Sequence, residues 1–150
     1  MGDTVDWTLP VVFHFSVKVD NSEVEFSEVS GLETSIETKE VRSGGDNSTV
    51  YHLLEKIKYS DLVLKRAIAT NNDAFFQWCK NSMEDMIGAF KVEPKSIEVT
   101  LLNRKNEPLA SWGFWGAYPV KWSFNTLDAM KGEIMIESVT LKYQNMKRIK

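Results

Sequence analysis

A chain of 150 residues with 43% hydrophobic content has the material for one domain with a sizeable core and shows no sign of a second. A net charge of -3 does not suit a nucleic-acid binder driven by phosphate contacts. Cys79 is the only cysteine, so neither an intrachain disulfide nor a cysteine-based metal cluster can form, and a reducing compartment during folding fits.

The acidic start, Met1 to Asp6, is unlike the basic head of a signal peptide, and no apolar run reaches membrane-spanning length. Synthesis in the cytoplasm without a signal peptide is expected, with no stable membrane insertion of the monomer. Val11 to Val19 carries apolar residues at every odd position, the alternation of a half-buried strand. Asp20-Asn21-Ser22 is a turn, and Val24-Glu25-Phe26 starts a second strand leading to Gly31, where a bulge or a positive φ re-aims the chain.

From Gly31 to Tyr59 the pattern changes. Glu33 to Arg42 is rich in Thr, Ile and Val and has no helical apolar stripe, and Ser43-Gly44-Gly45-Asp46-Asn47 is a turn signal. The stretch reads as a long hairpin with two largely polar faces. Such a ribbon cannot offset its own ordering cost, because a lone two-stranded sheet is marginal in water. Identical ribbons from neighbouring copies, joined edge to edge, would complete it.

Strand character returns from Ile57 to Ile68, with Leu62, Leu64 and Ala67 or Ile68 facing inward. A helix follows, capped by Asn72 or Asp73, with Phe75, Trp78, Cys79 and Ser82 on its apolar face and an end near Gly88. Ile97 to Leu101 alternates, Asn103 to Pro108 is a polar turn, and Leu109 to Ser123 is an aromatic-rich strand region holding Trp112, Phe114, Trp115, Tyr118 and Trp122. The last strand, Glu133 to Tyr143, shifts its inward parity near Glu137-Ser138, which predicts a bulge or a strand apolar on both faces.

Catalytic chemistry has little to work with. His14 and His52 have no nucleophile or metal-ligand spacing around them, and Cys79 sits beside Trp78 on the apolar helix face. Glu33, Glu37 and Glu40 lack the Asp-rich spacing of a calcium loop. Gly44-Gly45 has no following Lys-Ser/Thr pair and is a flexible tip rather than a phosphate cradle. The aromatic residues fit a core on one face and a subunit interface on the other. Neither a catalytic residue, a cofactor nor a metal site is expected. Charge is divided: residues 1 to 46 hold ten acidic and three basic side chains, -7, so the remainder carries +4. That division suits head-to-tail contact between copies as well as two unrelated solvated surfaces.

Phe13 to Val17, Phe26-Ser27-Glu28-Val29-Ser30-Gly31-Leu32, the ribbon from Glu37 to Gly45 and Leu62 to Arg66 together resemble the inner tail tube proteins of contractile phages and extracellular contractile injection systems. Trp112, Ala117 to Trp122 and Glu133 to Leu141 resemble that family's final strands, so the likeness spans about Val11 to Tyr143. The resemblance implies an antiparallel β-barrel or sandwich with one helix and a long polar hairpin, assembled as hexameric rings stacked into a hollow tube. The implied partners are further copies of the chain, a sheath protein, baseplate and tail-terminator proteins, and effector cargo or DNA in the lumen. The implied place of action is a phage tail or a released contractile particle.

On this reading Glu33, Ser35, Glu37, Lys39, Glu40 and Arg42 line the channel or join subunits, and Ser43, Gly44, Gly45, Asp46 and Asn47 form a ring-stacking loop. Leu53-Leu54-Glu55 stands where the family commonly has Leu-Pro-Gly, and Arg66-Ala67 where it often has Arg-Gly. These departures leave room for a paralogue that starts the tube at the baseplate. A monomeric barrel for a small ligand and a hydrolase are the alternatives of other classes.

Overall fold

In the computed structural model, which describes residues 13–42, 44, 50–67, 73–84, 93–125, 130 and 135–150, strands dominate. β1 (His14–Val19) and β2 (Ser22–Phe26) form a hairpin closed by Asp20 and Asn21. Their φ angles of 49° and 66° are the left-handed values that a two-residue turn between right-twisted strands demands, and Asn and Asp tolerate them best after Gly. β3 (Glu28–Ser30) follows, and the Ser27 N–H between the two strands donates to the Lys65 carbonyl at 2.9 Å. The ribbon is β4 (Thr34–Arg42) and β5 (Val50–Tyr59), and then come β6 (Leu62–Ala67), α1 (Ala74–Met83), β7 (Lys95–Leu102), β8 (Pro108–Phe124), β9 (Ile136–Lys142) and β10 (Asn145–Arg148).

Outside the ribbon the strands make one antiparallel sheet in the order β2-β1-β7-β8-β9-β6-β3, with β10 also on β8. Two segments change layers. β8 runs for 17 residues, pairing with β7 and β10 through its first part and with β9 through its second. Gly116, at φ 68°, lies at the changeover, where an added Cβ would meet the Gln144 side chain at 2.8 Å. The β2–β3 segment does the same at the far end, pairing with β1 and then β6. The sheet therefore folds over itself as a sandwich; chain continuity at Ser27, and no ladder, joins its two ends, so the barrel is not closed.

Inward side chains of both layers meet in one cluster that includes Val17, Val24, Val99, Leu64, Val139 and Leu141. α1 adds Phe75, Trp78 and Cys79, as its spacing predicts, and Phe75 packs edge-on against Phe26 with centroids 5.0 Å apart. Asp73 is the cap, its carboxylate accepting the Phe76 N–H at 2.7 Å. The helix ends at Met83, where the Glu84 N–H donates to the Lys80 carbonyl; Gly88 and Ile68 lie outside the described residues.

Two expectations are corrected. In β6 the third inward residue is Arg66, 5% exposed, while Ala67 is exposed. In β9 the inward row Glu137, Val139, Leu141 is unbroken, so Ile136–Lys142 has no change of parity and a buried carboxylate occupies an apolar row; Glu133 and Ile134 lie outside the described residues. Both follow from one ion pair described below. β10 has no alternation to announce it and is held as a strand by β8.

Gly31, at φ 89°, turns the chain from β3 into the ribbon, and a Cβ there would stand 1.9 Å from the Asp61 carbonyl oxygen. Gly31→Ala is expected to cost more than about 2 kcal/mol through strain and backbone displacement. A lowered urea midpoint at constant slope checks it; an unchanged midpoint would mean that the turn relaxes freely.

Candidate assembly surface

β4 and β5 form a two-stranded sheet of their own, and their register decides which side chains share a face. Thr34, Ile36, Thr38, Glu40 and Arg42 lie on one face; Ser35, Glu37, Lys39 and Val41 lie on the other. The register shifts after Glu37, leaving Glu55 as the extra residue of a bulge in β5. Near the root, Ile36 faces Ile57 across the strands on the first face, while Glu37 faces Lys56 on the second, with their charged atoms 3.5 Å apart. Near the tip, Val41 faces Tyr51 on the second face, beside Leu53.

The expectation of two largely polar faces is thereby corrected. The second face is polar at the root and apolar at the tip, while the first carries Ile36 and Ile57 at the root, Leu54 just past the bulge and Val50 at the tip, with Ile36 52%, Ile57 56%, Leu54 73%, Tyr51 56% and Leu53 55% exposed. Apolar side chains stand on one face before the bulge and on both faces after it.

The ribbon is anchored at its root. The Tyr59 hydroxyl donates to Asn145 Oδ1 at 2.8 Å and its ring lies 5.5 Å from that of Tyr143. The Ser60 hydroxyl donates to Glu33 Oε2 at 2.9 Å, and the Tyr143 hydroxyl to the Ser60 carbonyl at 2.7 Å. Burial, and next to it the charges of Tyr59 and Asp61, push the Tyr143 phenol up to about 12. The sequence-selected residues do not form one lining set: Glu33 belongs to the root, Ser35, Glu37 and Lys39 to one face, Glu40 and Arg42 to the other. Gly44 is exposed with open space around it; Ser43, Gly45, Asp46 and Asn47 lie outside the described residues.

Sequence reasoning misses a buried polar network that fixes the body behind the ribbon. Arg66 Nε donates to Glu137 Oε2 at 3.1 Å and Nη1 to Asp73 Oδ2 at 2.7 Å, while Trp122 Nε1–H donates to Glu137 Oε1 at 2.9 Å. The guanidinium lies over the rings of Phe26 and Phe75, 5.0 and 5.6 Å from their centroids. Burial alone would lower the Arg66 pKa, but hydrogen bonds and charge from Asp73 and Glu137 outweigh it and hold the group above its ordinary value. The one available signal was a charged residue on the inward parity of each of two strands.

Residues 11–147 match the family described as T4-like virus tail tube protein gp19. The chain belongs to this family. A chain in the sheath-tube complex of the PVC extracellular contractile injection system, in its extended state, is 26% identical, with a TM-score of 0.76 over 96% of this chain and 93% of that one. A chain from the PVC sheath/tube terminator is 25% identical, TM-score 0.78, over 98% and 100%. Hcp1 from Salmonella typhimurium shares the fold at 12% identity, TM-score 0.54, over 91% and 85%. No curated protein matches the chain.

As a tail tube protein the chain has a structural, non-enzymatic role. His52 is exposed on the ribbon, His14 is half-buried on β1, and among the described residues no group of His, Cys, Asp and Glu could hold a metal ion. Cys79 is fully buried; burial first, then the Glu137 charge, push its thiol up to about 12. A thiol that holds its proton and is out of contact with solvent is no nucleophile.

Two predictions rest on this tail tube body. Arg66→Met leaves Glu137 buried without its cation and is expected to cost about 3–5 kcal/mol. Glu137→Met costs less, because Arg66 keeps Asp73, and the double variant costs less than Arg66→Met alone. Denaturant titration of the cycle reads this, and additive losses would refute the coupling.

The second prediction concerns alkaline pH. Cys79 has a folded pKa of about 12 against an ordinary 9.0, and Tyr143 about 12 against 10.0. A raised folded pKa contributes stability that is complete below the unfolded value and lost as pH rises through the folded one. Stability measured by urea titration should therefore fall from about pH 9 toward 12. A Cys79→Ala variant should show a shallower fall.

Proposed function

We propose that this tail tube protein is a single-domain subunit of hexameric rings stacked into the hollow inner tube of a contractile injection apparatus. The β4–β5 ribbon lines the channel and joins neighbouring copies. The observation that carries the reading is the ribbon itself. It is a two-stranded sheet held at its root, with exposed apolar residues on both faces, and it is unsuited to stand alone in water. Ser35 and Glu37, with Lys58 and Lys56 across from them, and Lys39 beyond the bulge are the polar set suited to a water-filled channel. Ile36 and Ile57 behind them suit contact with a neighbour. Glu40 and Arg42 join copies near the tip, and the turn at Ser43 to Asn47 stacks on the next ring.

A sheath protein surrounds the tube, baseplate and terminator proteins end it, and effector cargo or DNA occupies the lumen. Support comes from the settings of the PVC relatives, a sheath-tube complex and a sheath/tube terminator. The protein is made in the cytoplasm and acts in a phage tail or a released contractile particle. No helix among the described residues is long and apolar enough to cross a membrane. A second reading, a paralogue that starts the tube at the baseplate, is favoured by Leu53-Leu54-Glu55. There the family's Leu-Pro-Gly is replaced and the ribbon bulges.

Electron microscopy of the purified protein and of its parent particle should show six-fold rings with a central channel; a monodisperse monomer at all concentrations would refute the reading. Cysteine at Glu37 or Lys39 should react in assembled tubes with a small polar thiol reagent, while cysteine at Ile36 should be protected. Buried Cys79 contributes no background. Equal labelling of both faces would show that the ribbon packs on nothing.

A further inference from the structure

One layer of the sandwich, β2-β1-β7-β8-β10, has two outer strands, and their charges are opposite. Among the described residues β2 pairs with β1 on one side and with no strand on the other, where β6 and α1 lie against its Phe26 end, and it presents Glu23 and Glu25 as exposed residues of its outward row. Among the described residues β10 pairs with β8 on one side only, and it presents Lys147 on its outward row and Arg148 on the row of Met146, followed by Lys150, all exposed. Among the described residues no ion pair within 4.0 Å engages Glu23, Glu25, Lys147, Arg148 or Lys150. Lys18, across the ladder from Glu23, makes none either.

Charged residues on a free edge commonly prevent self-association. That purpose is met when both edges carry the same sign. Here they attract one another between copies. Each edge also repels itself: a two-fold contact of β2 with β2 would bring Glu23 and Glu25 against their own copies, and β10 with β10 would do the same for the cations. Only the head-to-tail arrangement is favourable, and an interface of that kind generates a ring or a helix rather than a dimer. Each neighbouring pair along the layer is antiparallel, so β2 and β10 run in the same direction, and a rotation that carries one copy to the next places them side by side and parallel.

We infer that the acidic β2 edge of one subunit joins the basic β10 edge of the next, so that Glu23 and Glu25 against Lys147, Arg148 and Lys150 form the lateral, ring-closing contact. The inference rests on the ring reading above and adds to it the surface through which rings close. It concerns a different part of the molecule from the ribbon.

Charge reversal tests it. Glu23→Lys/Glu25→Lys makes both edges basic, and Lys147→Glu/Lys150→Glu makes both acidic while sparing Arg148, whose guanidinium lies 6.0 Å from the Trp112 ring. Each variant, shown folded by circular dichroism and thermal unfolding, should lose at least about tenfold of its ring fraction by negative-stain counting and native mass spectrometry, since apposed like charges disfavour the contact.

An equimolar mixture should recover rings in which the two variants alternate, because each acidic edge then meets a basic one; six positions allow strict alternation, and with one variant uniformly labelled with nitrogen-15 native mass spectrometry should read three of each. The neutral variants Glu23→Gln/Glu25→Gln and Lys147→Gln/Lys150→Gln should weaken assembly less, and without recovery on mixing. Rings formed by either reversed variant at wild-type level, or a mixture no better than its parts, would overturn the inference while leaving the ring reading intact. Absence of rings in the wild type would overturn the ring reading itself.

Discussion

The body of this protein depends on the Arg66 guanidinium and the way its charge is met. Four elements converge on it: β6 supplies the residue, β9 supplies Glu137, the start of α1 supplies Asp73, and Trp122 in β8 holds the far oxygen of Glu137. All four carboxylate oxygens have a donor, because Asp73 Oδ1 also accepts the Phe76 N–H. Arg66 Nη2 has no hydrogen-bond partner among the described residues, and the rings of Phe26 and Phe75 cover the guanidinium face. A buried ion pair need not raise stability over an apolar core of the same volume. What this one does is specify. The helix cap, two strands and a tryptophan satisfy the same charge only in a single mutual arrangement, so the helix cannot slide on the sandwich without leaving a buried charge unmet.

Layer changes supply the second constraint. A sheet that crosses itself needs places where the backbone leaves regular extended geometry. Gly116 provides one within β8, and the tight contact of Gly31 with the Asp61 carbonyl provides another where the chain leaves β3 for the ribbon. The second has consequences at a distance. Because Gly31, Asp61 and Leu62 are packed backbone to backbone, the ribbon leaves the body at a fixed point, and the hydrogen bonds of Ser60, Tyr143 and Tyr59 fix its direction. A long hairpin with little support along its length can be positioned accurately only if its root is rigid.

Much of this was legible in residue order, and the failures have a common cause. The alternation of β1, the helical face of Phe75, Trp78, Cys79 and Ser82, the Asp73 cap and the special role of Gly31 are local properties, set by neighbours one to four positions away. Arg66 and Glu137 are 71 positions apart, and each alone looks like an interruption in an apolar row. The parity change expected at Glu137 is what a buried charge looks like when its partner is unseen. β10 failed for a similar reason: Asn145-Met146-Lys147-Arg148 has no pattern of its own and is a strand because β8 offers an edge. In the ribbon, Ile36 and Val41 have opposite parity, so β4 read alone looks unpatterned; only the cross-strand register, with its extra residue at Glu55, shows two coherent apolar pairs.

That register bears on why the ribbon needs neighbours on more than one side. A hairpin with one apolar face can be covered by one surface. Here Ile36 and Ile57 at the root, and Leu54 and Val50 past the bulge, are exposed in one direction while Val41, Tyr51 and Leu53 near the tip are exposed in the other, so a flat partner on one side leaves apolar area in water. The bulge between them increases local twist and turns the tip relative to the root, which is the geometry for touching two different surfaces in succession. In a stack of rings those surfaces are of two kinds, the neighbour within the ring and the ring above or below. On the proposed ring reading a ribbon that meets both gains its order from assembly, while the body is held by its own core and the Arg66 network.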